Sequence, residues 1–479
     1  MKENKLVSFI QNKISDRAMK IAAIVLICVY YFIGLMSYIT VPIKPIYSLF
    51  VSTSLFAVIL RAVMCAIICL FSLIVLFKYN LKMPWKWFVL FCFILFMTLI
   101  CILISPMVYE YMYVENLYKV IDVIRLNPGI KQTAVSYLSS IADFAFAFCI
   151  LFILPYMYQD KKKLLWLLLP IIGIAVLECF YSIIKERAAY IAFFKDPGNP
   201  NSGYALNIRA TFVSKQDWGA FLGVAFASSL SCFFILGKNR IEKALKIVFL
   251  CLCFMFYFFV VCCLCKTAIL GIGLCFITLL IGLIVISYKK SFKLGIILSC
   301  IFGCLFLGLI IAISFDGFGI NILSKISTLV KSLLFNQSES AVEARSSIWL
   351  NYIENVRGYN MFFGFGKAYV STYSASINHG GHTTIHNGLA YFFASYGLAG
   401  FMLLISLFGV VLFRIIKTRK INPFYPFMFI GLFLIALIFI LAESEVLVVS
   451  SSTPIFVFNV LLVLLPQGML FASRNKEAY

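Results

Sequence analysis

The three histidines in the chain, His379, His382 and His386, fall within a single short stretch of sequence. Histidine is the side chain whose charge changes nearest neutral pH, so three readings stand: a zinc site, a proton-transfer group, or simply a polar loop. Zinc wants a closed set of ligands, and no Cys, Asp or Glu lies close by in sequence to complete one. For proton transfer His386 is the best placed. It precedes Asn387, Gly388 and a long apolar run, and so stands at the start of a helix. The positive end of that helix disfavours imidazolium and keeps the ring neutral, able to accept a proton near neutral pH. Asn387 is a residue type that caps helices, which would also orient its neighbour.

Three cations stand out by position: Arg209 in NIRATFVSKQDWG, Lys266 in CLCKTAILG and Arg345 in EARSSIW. Each alone reads as a solvated or snorkelling side chain. Together, on one side of a membrane, they would offer positive charge to a lipid diphosphate, and the planar fork of Arg suits that group best. Arg61, Asp143 and Glu178 differ in lying inside apolar runs. Their positions put them about 9–14 Å below the same surface. Charge at that depth needs a partner or a wet cavity, so the three form either a structural cluster or the lining of a polar mouth for a charged ligand.

The elements that must position these groups are membrane helices. The chain of 479 residues is 63% hydrophobic and only 12% charged, whereas soluble domains are about 45–50% apolar and about 25% charged. Apolar runs long enough to cross a bilayer predict twelve spans, at 21–41, 54–77, 87–105, 134–157, 164–184, 217–237, 244–264, 267–287, 294–313, 388–413, 423–442 and 453–472. The first follows a basic N-terminus without a small-residue cleavage site, which reads as an uncleaved span. With that terminus in the cytoplasm, the short basic loops all fall on the same side, and together with both termini and Lys246 they carry nearly all of the +21 net charge. The positive-inside rule therefore accounts for the charge, and nucleic-acid binding is not needed. The sixteen cysteines lie in or at the edges of apolar runs, Cys262, Cys263 and Cys265 included, and read as packing residues rather than a disulfide framework.

The expected fold is thus all-α: a single polytopic transmembrane domain over 1–479, with about twelve helices. Its long loops lie outside, at 106–133, 185–216 and 315–387, the largest falling between spans nine and ten. Apolar spacing predicts short helices at 323–334 and 344–356 in that largest loop, and the Gly-rich 375–384 reads as irregular chain. No internal repeat is visible.

The order of these features resembles the O-antigen ligase and O-antigen polymerase superfamily of bacterial surface polysaccharide enzymes. The matching pieces are IRATFVSKQDWGAFLG, CLCKTAILGIG, RSSIW, FFGFGKA and HNGLAYFFASYGLAGF. The resemblance covers roughly 165–470. The chain departs from the pattern in two places. Lys215, Gln216 and Asp217 replace an Asn-containing turn, and Lys266 stands where Arg is common. The resemblance implies a fold of the glycosyltransferase C type and glycosyl transfer on the outer face of the bacterial cytoplasmic membrane, with both termini inside. The donor would be an undecaprenyl-diphosphate-linked glycan and the acceptor a glycan or glycolipid. A flippase and a chain-length regulator are expected partners. His386 would be the general base and Arg209 the principal diphosphate ligand, with Lys266, Arg345, Asn387 and Arg61 in substrate contact; neither metal nor cofactor is called for. Polymerisation of repeat units is the favoured activity. Ligation of a finished glycan to lipid A core is the alternative, and transport of lipid-linked sugar is the alternative of another class.

Overall fold

The computed structural model describes residues 55–79, 111–115, 121–125, 168–195, 208–212, 215–237, 239–314, 359–364, 387–442 and 457–477, with isolated positions at 9–26 and 165. Regular structure among them is helical apart from one hairpin. In chain order the elements are α1 (Leu55–Lys78), β1 (Tyr111–Glu115), β2 (Ile121–Arg125), α2 (Leu169–Lys185) and α3 (Arg187–Lys195). Next come α4 (Lys215–Ile235), α5 (Arg240–Cys262), α6 (Lys266–Lys290), α7 (Phe292–Ser314) and α8 (Tyr359–Phe363). The last are α9 (Gly388–Lys417), α10 (Tyr425–Ala442) and α11 (Leu465–Glu477), the last preceded by a wider π-turn at Val460–Leu464.

Among the described residues, α4, α5, α6, α9 with its trailing turn, and α10 are long and apolar enough to cross a membrane. The chain is therefore built as a membrane-embedded helical protein. The expected spans at 87–105 and 134–157, most of 21–41, and residues 315–358 and 365–386 of the largest loop lie outside the described residues. The hairpin falls in the expected 106–133 loop and was not anticipated by an all-α reading. Its strands pair antiparallel, with Tyr111 opposite Arg125 and Tyr113 opposite Val123. YMYVE and IDVIR are rich in aromatic and β-branched residues, which fit a pleated surface.

The centre of the fold is α4, which packs against α2, α5, α6 and α10. It is buried from Trp218 through Cys232 without a break. Its small residues explain why: Gly219, Ala220, Gly223, Ala225, Ala227 and a run of serines let neighbouring backbones approach closely. A methyl group added at Gly223 would sit 2.9 Å from the Phe439 ring of α10. Lipid provides no hydrophobic drive between helices, so such close packing supplies the attraction instead.

The same device joins α6 to α10. Gly271 faces the Ile435 backbone, Gly431 faces Cys275 and Gly282 faces the Phe427 ring, a register that runs the two helices in opposite directions. Gly271 and Cys275 are one helical turn apart, a small-xxx-small stripe. The antiparallel order gathers Arg240 and Lys243 of α5, Lys289 and Lys290 of α6, and Arg414 and Lys417 of α9 towards one end. The N-terminal segment is tied to the close of α1: Lys78 pairs with Asp16 at 3.3 Å, and the Tyr79 hydroxyl donates to Asp16 at 3.2 Å.

A leucine at Gly271 or Gly431 would overfill the α6–α10 seam, a class of change that costs about 1–3 kcal/mol. Thermal unfolding of the purified protein in detergent should show a clear drop for both variants. Gly273→Leu, two residues along α6 where nothing lies within 4 Å, should leave the transition in place.

Candidate functional site

Arg209 lies on a turn that is gripped from two sides. Residues 208–212 alternate: Ile208, Ala210 and Phe212 are buried, whereas Arg209 is exposed. On one side, the Phe212 ring packs against Trp218 and Phe221 of α4, at centroid distances of 5.3 and 5.2 Å. On the other, the end of α2 grips the backbone. Glu186 accepts from the Arg209 N–H at 3.1 Å and from the Ala210 N–H at 3.3 Å, and Lys185 donates to the Ala210 carbonyl at 2.9 Å. Glu178 accepts from the Thr211 N–H at 3.3 Å and from its hydroxyl at 2.9 Å. The turn closes on itself through a Phe212 N–H to Arg209 carbonyl bond of 2.9 Å. Ala210 sits at φ 52°, in the left-handed region, which costs a non-glycine residue about 1–2 kcal/mol. The surrounding grips hold it there.

Lys266 occupies a second such turn. The link between α5 and α6 is Cys263, Leu264 and Cys265, and Leu264 has φ 49°. Glycine usually ends a helix in that conformation; here a buried leucine does so. Cys265 lies against Gly219 of α4 with no room for a β-carbon between them, so the first turns of α4 and α6 stand side by side. The Lys266 ammonium is close enough to feel the charge of Lys215, the first residue of α4. Arg209 thus lies on the turn that precedes α4, and Lys215 and Lys266 are the first residues of α4 and α6, with the carboxylate of Asp217 in the same first turn of α4.

Two glycines form the third feature. Gly364, at φ 75°, closes α8, and Gly397, at φ 65°, breaks α9. They meet backbone to backbone. A β-carbon on Gly364 would lie 2.5 Å from the Tyr396 nitrogen, and one on Gly397 would strike the Phe362 carbonyl. The break has a reason of scale. All 30 residues of α9 would extend about 45 Å, beyond the roughly 30 Å hydrocarbon core. The part after the break, 398–417, is about 30 Å long on its own. The single span expected at 388–413 is therefore two helices. At its start Asn387 is the N-cap: its side-chain oxygen accepts from the Ala390 N–H at 3.0 Å. That commits the oxygen to structure.

Four of the five motif pieces are described at least in part, and the described part of each carries one left-handed residue: Ala210, Leu264, Gly364 and Gly397. These four are all the left-handed residues among the described residues. Backbone held in such regions concentrates at functional sites.

Of the other expected site residues, Arg61 belongs to α1, but its side chain lies outside the described part. So do Asp143, Arg345, His379, His382 and His386. Glu178 is partnered by Thr211. Cys262, Cys263 and Cys265 are buried free thiols, and among the described residues no group of three or more metal-ligating side chains occurs. Sequence reasoning passed over Glu186, Lys185 and Lys215 as parts of this arrangement. One signal was available: the in-out alternation of Ile208 to Phe212 marks a chain laid on a surface. A comparison with known proteins finds neither a family model nor a curated protein that matches this chain.

Alanine at Gly397 should be markedly destabilising, since it adds the left-handed penalty of about 1–2 kcal/mol to a collision with Phe362. Gly409→Ala lies farther along the same helix with open space around it and should be neutral or stabilising, by up to about 1 kcal/mol. Melting curves of the two variants, compared with the parent, check both expectations.

Proposed function

We propose that this chain is a membrane glycosyltransferase of the bacterial cytoplasmic membrane. It takes a glycan from a polyprenyl diphosphate on the outer face and joins it to another glycan, building a surface polysaccharide. The observation that carries the reading is the pairing of two cations, Arg209 and Lys266, with two left-handed turns beside the N-termini of α4 and α6. A sugar diphosphate is already activated, and the chemistry asks for little beyond charge and placement. An acceptor hydroxyl attacks the anomeric carbon, the carbon–oxygen bond to diphosphate breaks, and the diphosphate departs with the electron pair. Preorganised positive charge aimed at that leaving group is the largest expected contribution. Arg209 supplies it in bidentate form, and Lys266 supplies it as a point charge.

His386 takes the proton of the acceptor hydroxyl. Its sequence position directly before the Asn387 cap supports this role, because the positive end of α9 favours a neutral imidazole. Arg345 and Arg61 remain proposed secondary contacts.

Transport has one observation in its favour, the break in α9, because transporters place substrate at broken helices. Here the Phe362–Gly364 backbone occupies the break, which makes it a packing joint rather than a path.

The test is incubation of the purified protein in lipid nanodiscs with its lipid-linked repeat unit. A ladder of lengthening glycans supports polymerisation, and a single transfer to a separate acceptor points to ligation. No new glycosidic bond in either assay would sink the reading. Arg209→Ala and His386→Ala should each lower transfer on the order of 10²–10⁴-fold, with unchanged membrane insertion by protease accessibility. Full activity in either would remove that residue from its role.

A further inference from the structure

Glu186 is nearly sealed from solvent, at 9% exposure, yet three hydrogen-bond donors converge on its carboxylate. The Arg209 N–H reaches both oxygens, at 3.1 and 3.2 Å. The Ala210 N–H lies 3.3 Å from one of them, and the Ser182 hydroxyl donates to that same oxygen at 2.6 Å. Behind Ser182, the Tyr190 hydroxyl lies 2.7 Å away, in hydrogen-bond contact with the serine. The Tyr190 ring is set in turn by an edge contact with Phe259 of α5, at 5.9 Å between centroids. This is a buried line of polar groups running from α3 through α2 to one backbone turn. A buried carboxylate is costly unless its lone pairs are filled. This one is filled by the turn that carries Arg209.

We infer that Glu186 is a positioning residue for Arg209. Its carboxylate holds the Arg209 and Ala210 amides in the left-handed turn that presents the guanidinium, and Ser182 and Tyr190 aim that carboxylate. The idea rests on the reading of Arg209 as a ligand for lipid diphosphate and deepens it. The chemistry explains the residue type. A backbone at φ 52° on an alanine relaxes unless something opposes it, and a carboxylate can accept from two successive N–H groups at once. Glutamine has the same shape but only one accepting oxygen, and its NH₂ would face an N–H donor.

Two measurements on Glu186→Gln test the inference, and neither requires turnover. The first is amide hydrogen exchange across 208–212, which should speed up while α4 and α5 keep their protection. The second is affinity for undecaprenyl diphosphate by native mass spectrometry. It should fall about tenfold or more, the scale of one lost charge-assisted contact, and the double variant should bind no more weakly than Arg209→Ala alone. Ser182→Ala, which leaves the carboxylate but removes one aiming contact, should move both readouts in the same direction by less. It also serves as the test variant if Glu186→Gln does not fold.

Unchanged exchange would show that the turn does not depend on Glu186. Faster exchange with unchanged affinity would show that the turn does not serve the diphosphate. Additive losses in the double variant would mark a general structural role. Each of these overturns the inference, as does a parent protein that fails to bind undecaprenyl diphosphate. If the parent binds the lipid with Glu186-dependent affinity but transfers no sugar, the positioning role stands and the transferase reading falls.

Discussion

The interior of a bilayer has no hydrogen-bond partners to offer the backbone, so every N–H and C=O at that depth must be satisfied by protein. Long stretches of this chain answer with helix. The departures from helix are few among the described residues, and neighbouring protein lies against each of those with left-handed backbone. Ala210 is held by a carboxylate and an ammonium from α2. Leu264 is compressed into a buried turn between α5 and α6. Gly397 is met by the backbone of another segment. Each irregular point is tolerated because neighbouring protein closes around it.

Close helix packing is what makes such closure possible. The small residues of α4 draw α2, α5, α6 and α10 in on it, and the glycine seam sets the register of α6 against α10. The ends of α2, α4 and α6 are therefore fixed relative to one another to within a side chain. A turn laid across those ends inherits that rigidity. Arg209 reads as a solvated cation when taken alone. In the fold it is the exposed member of a turn whose backbone is held by Glu186, Lys185 and Glu178.

Much of this was legible in the residues themselves. Apolar runs of bilayer length located α4, α5, α6 and α10 to within a few residues, because a spanning helix must be both continuous and apolar, and the helices α1 and α7 coincide with two further such runs. Asn387 as a cap was readable from its place before an apolar run. The helix α3 was not, since RAAYIAFFK is short and sits in a stretch between spans. Its buried face docks on the aromatic end of α5, where the Tyr190 ring meets Phe259 edge-on. The hairpin escaped notice because two five-residue strands are a weak pattern beside helices of twenty or more. The break in α9 escaped because Gly397 looks like any glycine in an apolar run until Gly364 is seen against it.

By itself, the sequence determined the class of the molecule, a membrane-embedded helical protein, and set Arg209, Lys266, Gly364 and Gly397 in it by residue type. Those features are local, written in composition, run length and residue type. Only the tertiary structure decided that Glu178 and Glu186 partner the 209–211 turn and that Gly364 fills the break at Gly397. The first contacts join groups 23 to 33 residues apart, and the second join is likewise long-range. Such pairings depend on how helices dock, which no local pattern encodes. Glu178 shows the difference plainly. As a charge inside an apolar run it demanded some partner, and the docked helices made that partner Thr211.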